Sequence, residues 1–145
     1  MGLSTDIFFV KALQDTPSVN DAVGGRIFNP ARSTVDEEED RLPYIIVNFD
    51  KLTNEESTKD NANEGDTDIV DVSITICAED RVSLATLAKN VRDAINDYFN
   101  NLDAAEAFNL DAPNWWRFST DAVYYEEGRP CVYTKFYYSC DTNSK

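Results

Sequence analysis

Between Ile69 and Phe99 the hydrophobic period changes once, and abruptly. In IVDVSITICA, residues 69–78, Val70, Val72, Ile74 and Ile76 alternate with Asp71, Ser73, Thr75 and Cys77, the two-residue period of a strand with one face on a core. Directly afterwards the spacing becomes three and four. Leu84, Leu87, Ala88, Val91, Ala94, Ile95 and Tyr98 share one face of a helix predicted over Asp80–Phe99, while Lys89, Arg92, Asp93 and Asp97 face outward. Asp80 or Ser83 can cap its first turn, and Asn100-Asn101 is its expected end. A one-faced strand running straight into a long amphipathic helix constrains the chain to a layered fold with both element types.

The flanks fill in that fold. Leu3, Ile7, Val10 and Ala12-Leu13 share a face, Phe8 widens it, and Ser4 to Asp6 offer caps, so residues 3–14 are predicted to be helical. Thr16-Pro17 starts a second short helical turn, since proline suits the first helical position, and Gly24-Gly25 stops it. Arg26–Asn29 is a short strand ending at Pro30. After an acidic loop, 33–42, Pro43 opens a strand over Tyr44–Asp50 that is apolar on both faces. Residues 51–66, KLTNEESTKDNANEGD, hold almost nothing to bury and are expected to form a mobile surface loop. Past a loop through Ala112-Pro113 and Trp115-Trp116, strands are predicted over 118–126 and 131–140, joined by the hairpin signal Glu127-Gly128-Arg129-Pro130. The expected class is α+β: a largely antiparallel sheet of about five strands, with helices on one face. All 145 residues fit one domain.

Charge narrows the function. Twenty-seven acids against 13 bases and no histidine give −14, so a surface that attracts DNA or anionic membrane is not expected. No run approaches the ~18 apolar residues that span a bilayer. The start, MGLSTDIFFVKALQD, lacks a basic leader and is not expected to be a signal peptide. The expected setting is a reducing cytoplasm. Cys77, Cys131 and Cys140 have no paired-ligand spacing, and along one strand Cys131 and Cys140 lie roughly 30 Å apart on opposite faces, so buried inert thiols are expected.

Catalytic constellations are mostly absent. Without histidine there is no Ser/His/Asp or Cys/His system and no imidazole ligand, and Gly24-Gly25 precedes a strand rather than the helix of a phosphate cradle. No carboxylate pair is singled out among so many acids. The run Asp36, Glu37, Glu38, Glu39, Asp40 lacks the alternating ligands and turning glycine of a calcium loop, and Asn63–Asp68 lacks the partner glutamate. Neither an enzyme nor a cofactor or metal is expected. Trp115-Trp116 and the tyrosines 124, 125, 133, 137 and 138 lie among acids rather than in a basic stacking groove. They belong to the sheet and its core or to a protein interface.

The order of features is more specific than any single one. A helix leads to VGGRIF (Val23–Phe28), then LPYIIV (Leu42–Val47), then DVSITICA (Asp71–Ala78) running into the Asp80–Ile95 helix, then a closing hairpin with YYEEGRPCVY (Tyr124–Tyr133). In this order, over nearly the whole chain, the sequence resembles the tail-completion proteins of tailed bacteriophages, also described as tail-terminator or head-to-tail joining proteins. It departs from their pattern in the long acidic arm and the Trp115-Trp116 loop. The resemblance implies a structural protein that forms a ring, typically hexameric, capping the tail tube and joining it to the head connector. It also implies assembly in the bacterial host cytoplasm, then residence in the virion tail or neck.

Six copies at −14 would carry −84, so subunit contacts need charge placed away from them or neutralised. DNA threading a pore is served by a wall that does not hold phosphate, so one acidic loop, 33–42 or 51–66, is expected to face the lumen or a neighbouring ring. Asp36, Glu37, Glu38, Glu39, Asp40, Glu55, Glu56, Trp115 and Trp116 are the residues expected to meet neighbours. Two alternatives stand beside the ring. A free-standing acidic module that mimics DNA would need carboxylates spaced along an extended face, whereas these bunch in two loops and a helix start. A small accessory domain of a secretion or contractile machine would share tube-and-cap architecture.

Overall fold

A computed structural model describes residues 5–29, 42–55, 67–100, 116–120, 123–125 and 132–143. In chain order they form α1 (Thr5–Gln14), α2 (Pro17–Asn20), β1 (Ile27–Phe28), β2 (Tyr44–Glu55), β3 (Thr67–Ala78), α3 (Arg81–Phe99), β4 (Trp116–Thr120), β5 (Tyr124–Tyr125) and β6 (Val132–Asn143). The sheet runs β1-β2-β3-β6-β4, with β5 also pairing β6. Only β1–β2 is parallel; the remaining pairs are antiparallel. This is the expected α+β fold.

The period of β3 decides which face is covered. Val70, Val72, Ile74 and Ile76 are all fully buried, beneath Phe8, Phe9, Ala12 and Leu13 of α1 and Leu84, Leu87, Val91 and Ile95 of α3. Six rings connect the layers. Tyr98 meets Phe8, Phe8 meets Phe9, Phe9 meets Tyr138, and Tyr138 and Phe136 both meet Phe118, at centroid separations of 5.0–5.6 Å. Such tilted and edge-on pairs add to the area that each ring buries. The opposite face of the sheet carries a smaller cluster, Phe28, Tyr44 and Cys77, against half-buried Leu42, Ile46 and Tyr133.

Three expectations need correction. Lys51–Glu55 does not open a loop; it continues β2, paired from Lys51↔Asp71 to Glu55↔Thr67. Its polar residues are strand-compatible because β3 satisfies their backbone, and Leu52 supplies the one apolar contact with the core. The strand expected over 118–126 instead starts at Trp116 and is interrupted. Thr120 pairs with Phe136 but Tyr124 pairs with Tyr133, so four steps on one strand match three on the other, and the spare residue breaks the ladder. The closing strand runs on to Asn143 rather than stopping at Cys140, because β3 pairs it that far. The acidic residues 36–40, Glu56, Trp115, Cys131 and the turn at 127–130 lie outside the described residues. Among the described residues no helix is long and apolar enough to cross a membrane.

Candidate functional site

The sequence GGRIF makes a fixed root for the acidic segment that follows it. After α2 the chain turns through Gly24 and Gly25, at φ 59° and 76°, left-handed conformations that cost glycine nothing. The turn delivers Arg26 alongside the start of β2, where the Ile45 N–H donates to the Arg26 carbonyl at 3.0 Å. The Arg26 guanidinium then reaches forward. Its Nε donates to the Pro43 carbonyl at 3.1 Å and its Nη2 to the Leu42 carbonyl at 3.4 Å, across a cis Leu42–Pro43 peptide.

The other side of the root is held as firmly. Asn29 is buried, and its Nδ2 donates to Asp6 Oδ2 at 2.8 Å. Asp6, itself 1% exposed, sits in the first turn of α1, where a carboxylate is favoured by the unpaired N–H groups of the helix start. Residues 30–41, with the five acids at 36–40, therefore leave and re-enter the sheet at two anchored points.

Away from the cluster around Phe28, Tyr44 and Cys77 the uncovered sheet face is mostly polar, and the register sets its rows. Lys51, Asp71 and Ser139 stand in one row, Asn48, Ser73 and Tyr137 in the next, Ile46, Thr75 and Lys135 in a third. The register shift between Phe49 and Lys51 puts an extra residue, Asp50, on this face, and its Oδ1 accepts from Ser73 Oγ at 3.1 Å. A shallow recess of about 520 Å³ lies there, lined by Asp50, Lys51, Asp71, Ser119, Tyr137 and Ser139. Charges of both signs and hydroxyls stand at its rim, and Val72, Phe118 and Tyr138 add apolar lining.

On the helix side, burial pushes the Tyr138 hydroxyl far above the ordinary tyrosine value, with only a smaller opposing pull from Arg92. Burial also raises Tyr98, helped by the negative charge of Asp15, which accepts its hydroxyl hydrogen at 3.3 Å. Asp80 is held below the usual carboxylate range because the Ser83 N–H donates to it at 2.8 Å and the Ser83 hydroxyl at 3.2 Å. This is the N-cap of α3. Among the described residues no three Cys, Asp or Glu side chains converge as metal ligands would.

Of the expected contact residues the described ones are Glu55 and Trp116, and these two lie on different strands of the sheet. Glu55 ends β2 and Trp116 begins β4, and β3 and β6 lie between those strands. The two acidic segments, 30–41 and 56–66, attach at opposite ends of β2, some 11 residues or about 36 Å apart along an extended strand. No known family model matches the chain, and no curated protein does either. Its surfaces must therefore speak for its function. Residues that sequence reasoning passed over are Arg26, Asn29 and Arg92. The first two carry a faint signal, polar residues bracketing the apolar pair Ile27-Phe28, whereas Arg92 carries none beyond facing outward.

Proposed function

We propose that this protein is a ring-forming structural component of a tailed-phage virion, which caps the tail tube and joins it to the head connector while DNA passes without being held. The observation that carries this reading is the anchored root of the acidic arm: GGRIF and LPYIIV, the two pieces of the family resemblance that flank the arm, meet as a parallel strand pair clamped by Arg26. The element order behind the resemblance also holds through the described residues, from α1 to β6.

Charge placement favours the ring over a DNA mimic. The described residues hold eight Lys or Arg against 12 Asp or Glu, a net −4, which leaves −10 of the −14 to the segments between them. A mimic needs its carboxylates spaced along the scaffold; here the scaffold is nearly balanced and offers faces that can meet without strong repulsion. Because the acidic segments attach at opposite ends of β2, one of them is free to face the lumen or a neighbouring ring while the other meets subunits of the same ring.

The test is light scattering of the purified chain from ~0.01 M to ~1 M salt, a range over which the screening length falls from about 30 Å to 3 Å, with negative-stain microscopy of the heaviest fraction. The expected result is a discrete multiple of the 16.4 kDa chain and annular particles with a central hole. A monomer at every salt and at high micromolar concentration overturns the proposal.

A further inference from the structure

The helix layer leaves one strand of the sheet short of cover. α1 packs on β2 and β3, and α3 packs on β3 and β6, but neither helix makes more than marginal contact with β4. Two helices packed ~10 Å apart do not reach across five strands spaced ~4.8 Å apart, so neither helix covers the margin beside β4. Phe118 lies on that margin, half-buried, with the Arg92 guanidinium 4.3 Å from its ring centroid.

The margin is a groove. Recesses of about 460 and 540 Å³ share Ala88, Thr120 and Phe136 and so run together between α3 and β4, from Asn96 at one end to Arg81 at the other. The floor is apolar, formed by Leu84, Ala88, Phe118 and Phe136. Arg81, Lys89 and Arg92 stand along the α3 rim, with Asp93 the one opposing acid among the lining residues. Lys89 is tied to Asp93 by an exposed pair at 3.4 Å, which water weakens, so the rim keeps its positive excess. At the far end Asn96 Oδ1 is buried, with no hydrogen-bond partner among the described residues. Among the described residues β4 pairs with β6 along one of its two edges.

We infer that this groove seats an extended acidic segment, and that the occupant is the Asp36–Asp40 arm of a neighbouring copy. Charge complementarity selects it: five consecutive carboxylates meet a rim that carries three bases against one acid. Length fits as well. Arg81 to Asn96 spans about 22 Å of helix, which seven extended residues match at ~3.3 Å each, and Val35–Arg41 is such a run. The arm is rooted beside β1 and β2, the groove lies along β4, and these are opposite edges of the sheet. One copy therefore offers the arm where the next offers the groove, a head-to-tail contact of the kind that closes rings. The choice of occupant rests on the ring reading; the groove's preference for acidic extended chain does not.

The experiment is fluorescence anisotropy with a labelled peptide of residues 33–42, STVDEEEDRL, titrated with the full-length chain, its Arg92→Glu and Arg81→Glu variants, and unlabelled competitors. Thermal melts of each variant establish that it is folded; should Arg92→Glu melt early, Arg81→Glu at the exposed start of α3 carries the test. Saturable binding that falls at least tenfold in the variants, and that neither the Asn/Gln version of the peptide nor a peptide of residues 55–66 reproduces, is the expected result. Equal binding to wild type and both variants, equal binding of the 55–66 peptide, or none overturns the inference. Light scattering separates the two claims. A ring whose mass is indifferent to both substitutions overturns the inference alone, whereas a monomer that binds the peptide through the groove supports the inferred chemistry and overturns the ring.

Discussion

Gly24→Ala is the sharpest test of how the arm is rooted. Gly24 lies at φ +59°, and a Cβ added there would meet Arg26 Nη1 at 2.8 Å, closer than the two can stand. Left-handed backbone costs alanine about 1–2 kcal/mol. The guanidinium can swing away, because it is the end of a flexible side chain, but only by releasing the carbonyls of Leu42 and Pro43. Those charge-assisted bonds are half-exposed and partly replaced by water, so their loss adds about 1–2 kcal/mol. The total is about 2–4 kcal/mol. Gly25→Ala provides the control: it lies at φ +76° with no atom within 4 Å of the added Cβ, so only the backbone term of about 1–2 kcal/mol applies.

Urea denaturation of the wild type, both alanine variants, Arg26→Ala, and each glycine change in the Arg26→Ala background separates the terms. Gly24→Ala should cost about 1–2 kcal/mol more than Gly25→Ala in the wild type and the same as it once Arg26 is gone. A gap that survives the loss of Arg26, or no gap at the start, refutes the clamp. Either result would leave the return of the chain at Leu42-Pro43 to be explained by packing alone.

Other substitutions probe the layers that hold the root in place. Asn29→Ala removes the donor to Asp6 Oδ2 and should cost about 1–3 kcal/mol by denaturant titration. Asn29→Asp should cost more, because it sets two carboxylates at hydrogen-bonding range in a buried site. Ile74→Ala, fully buried between Val47 and Phe136, should cost about 2–5 kcal/mol, with the spread set by how far the site collapses. Asp80→Ala should lower the melting temperature by a few degrees at neutral pH, while Asp80→Asn, which keeps the accepting oxygen, should nearly match the wild type. The sign follows from linkage. The folded Asp80 pKa is lowered, so the advantage of its charge is complete above the ordinary aspartate value and disappears as pH falls through the lower folded value; melts at successively lower pH should show the wild type losing its small margin over Asp80→Asn there, while both keep the accepting oxygen that Asp80→Ala lacks.

The layers were legible in the sequence because period is a local property. β3 and α3 came from alternation and from three-and-four spacing, and their buried faces are the predicted ones, since Val70 to Ile76 and Leu84 to Ile95 have no other way to leave water. Pro17 opens α2 as its fixed backbone predicts, whereas the helix ends at Asn20 with Asp21 as its cap, and Gly24-Gly25 turn the chain just beyond it. Lys51–Glu55 has the composition of a loop, but its pairing with β3 makes it strand. A polar strand survives when a neighbour satisfies its backbone, and the β2–β3 register is a fact about two segments at once. The interruption between β4 and β5 is of the same kind: one spare residue has no signature until the partner strand is placed. The groove was out of reach for a stronger reason. Arg92 is an outward helix residue by spacing, and only the fold sets Phe118, 26 residues later in the chain, beneath it.

Two electrostatic effects of opposite sign act on any assembly of this chain, and their ranges differ. Net repulsion comes mainly from the −10 outside the described scaffold, and between copies it acts across many ångströms. Attraction between an acidic arm and the Arg81–Lys89–Arg92 rim acts at contact. Screening removes the long-range term first: the Debye length is about 30 Å at 0.01 M salt, about 10 Å at 0.1 M and about 3 Å at 1 M. Adding salt from the low end therefore relieves repulsion while contact pairs persist, and only near molar salt do the pairs themselves weaken. Assembly is then strongest at intermediate ionic strength. A ring held by apolar contacts alone would strengthen with salt throughout, and one held by ion pairs alone would weaken throughout. The maximum between them follows from placing charge on arms and contacts on a balanced scaffold. Arg26, by holding the carbonyls of Leu42 and Pro43, fixes where the arm rejoins that scaffold, and in the proposed ring it would set which neighbour the charge meets.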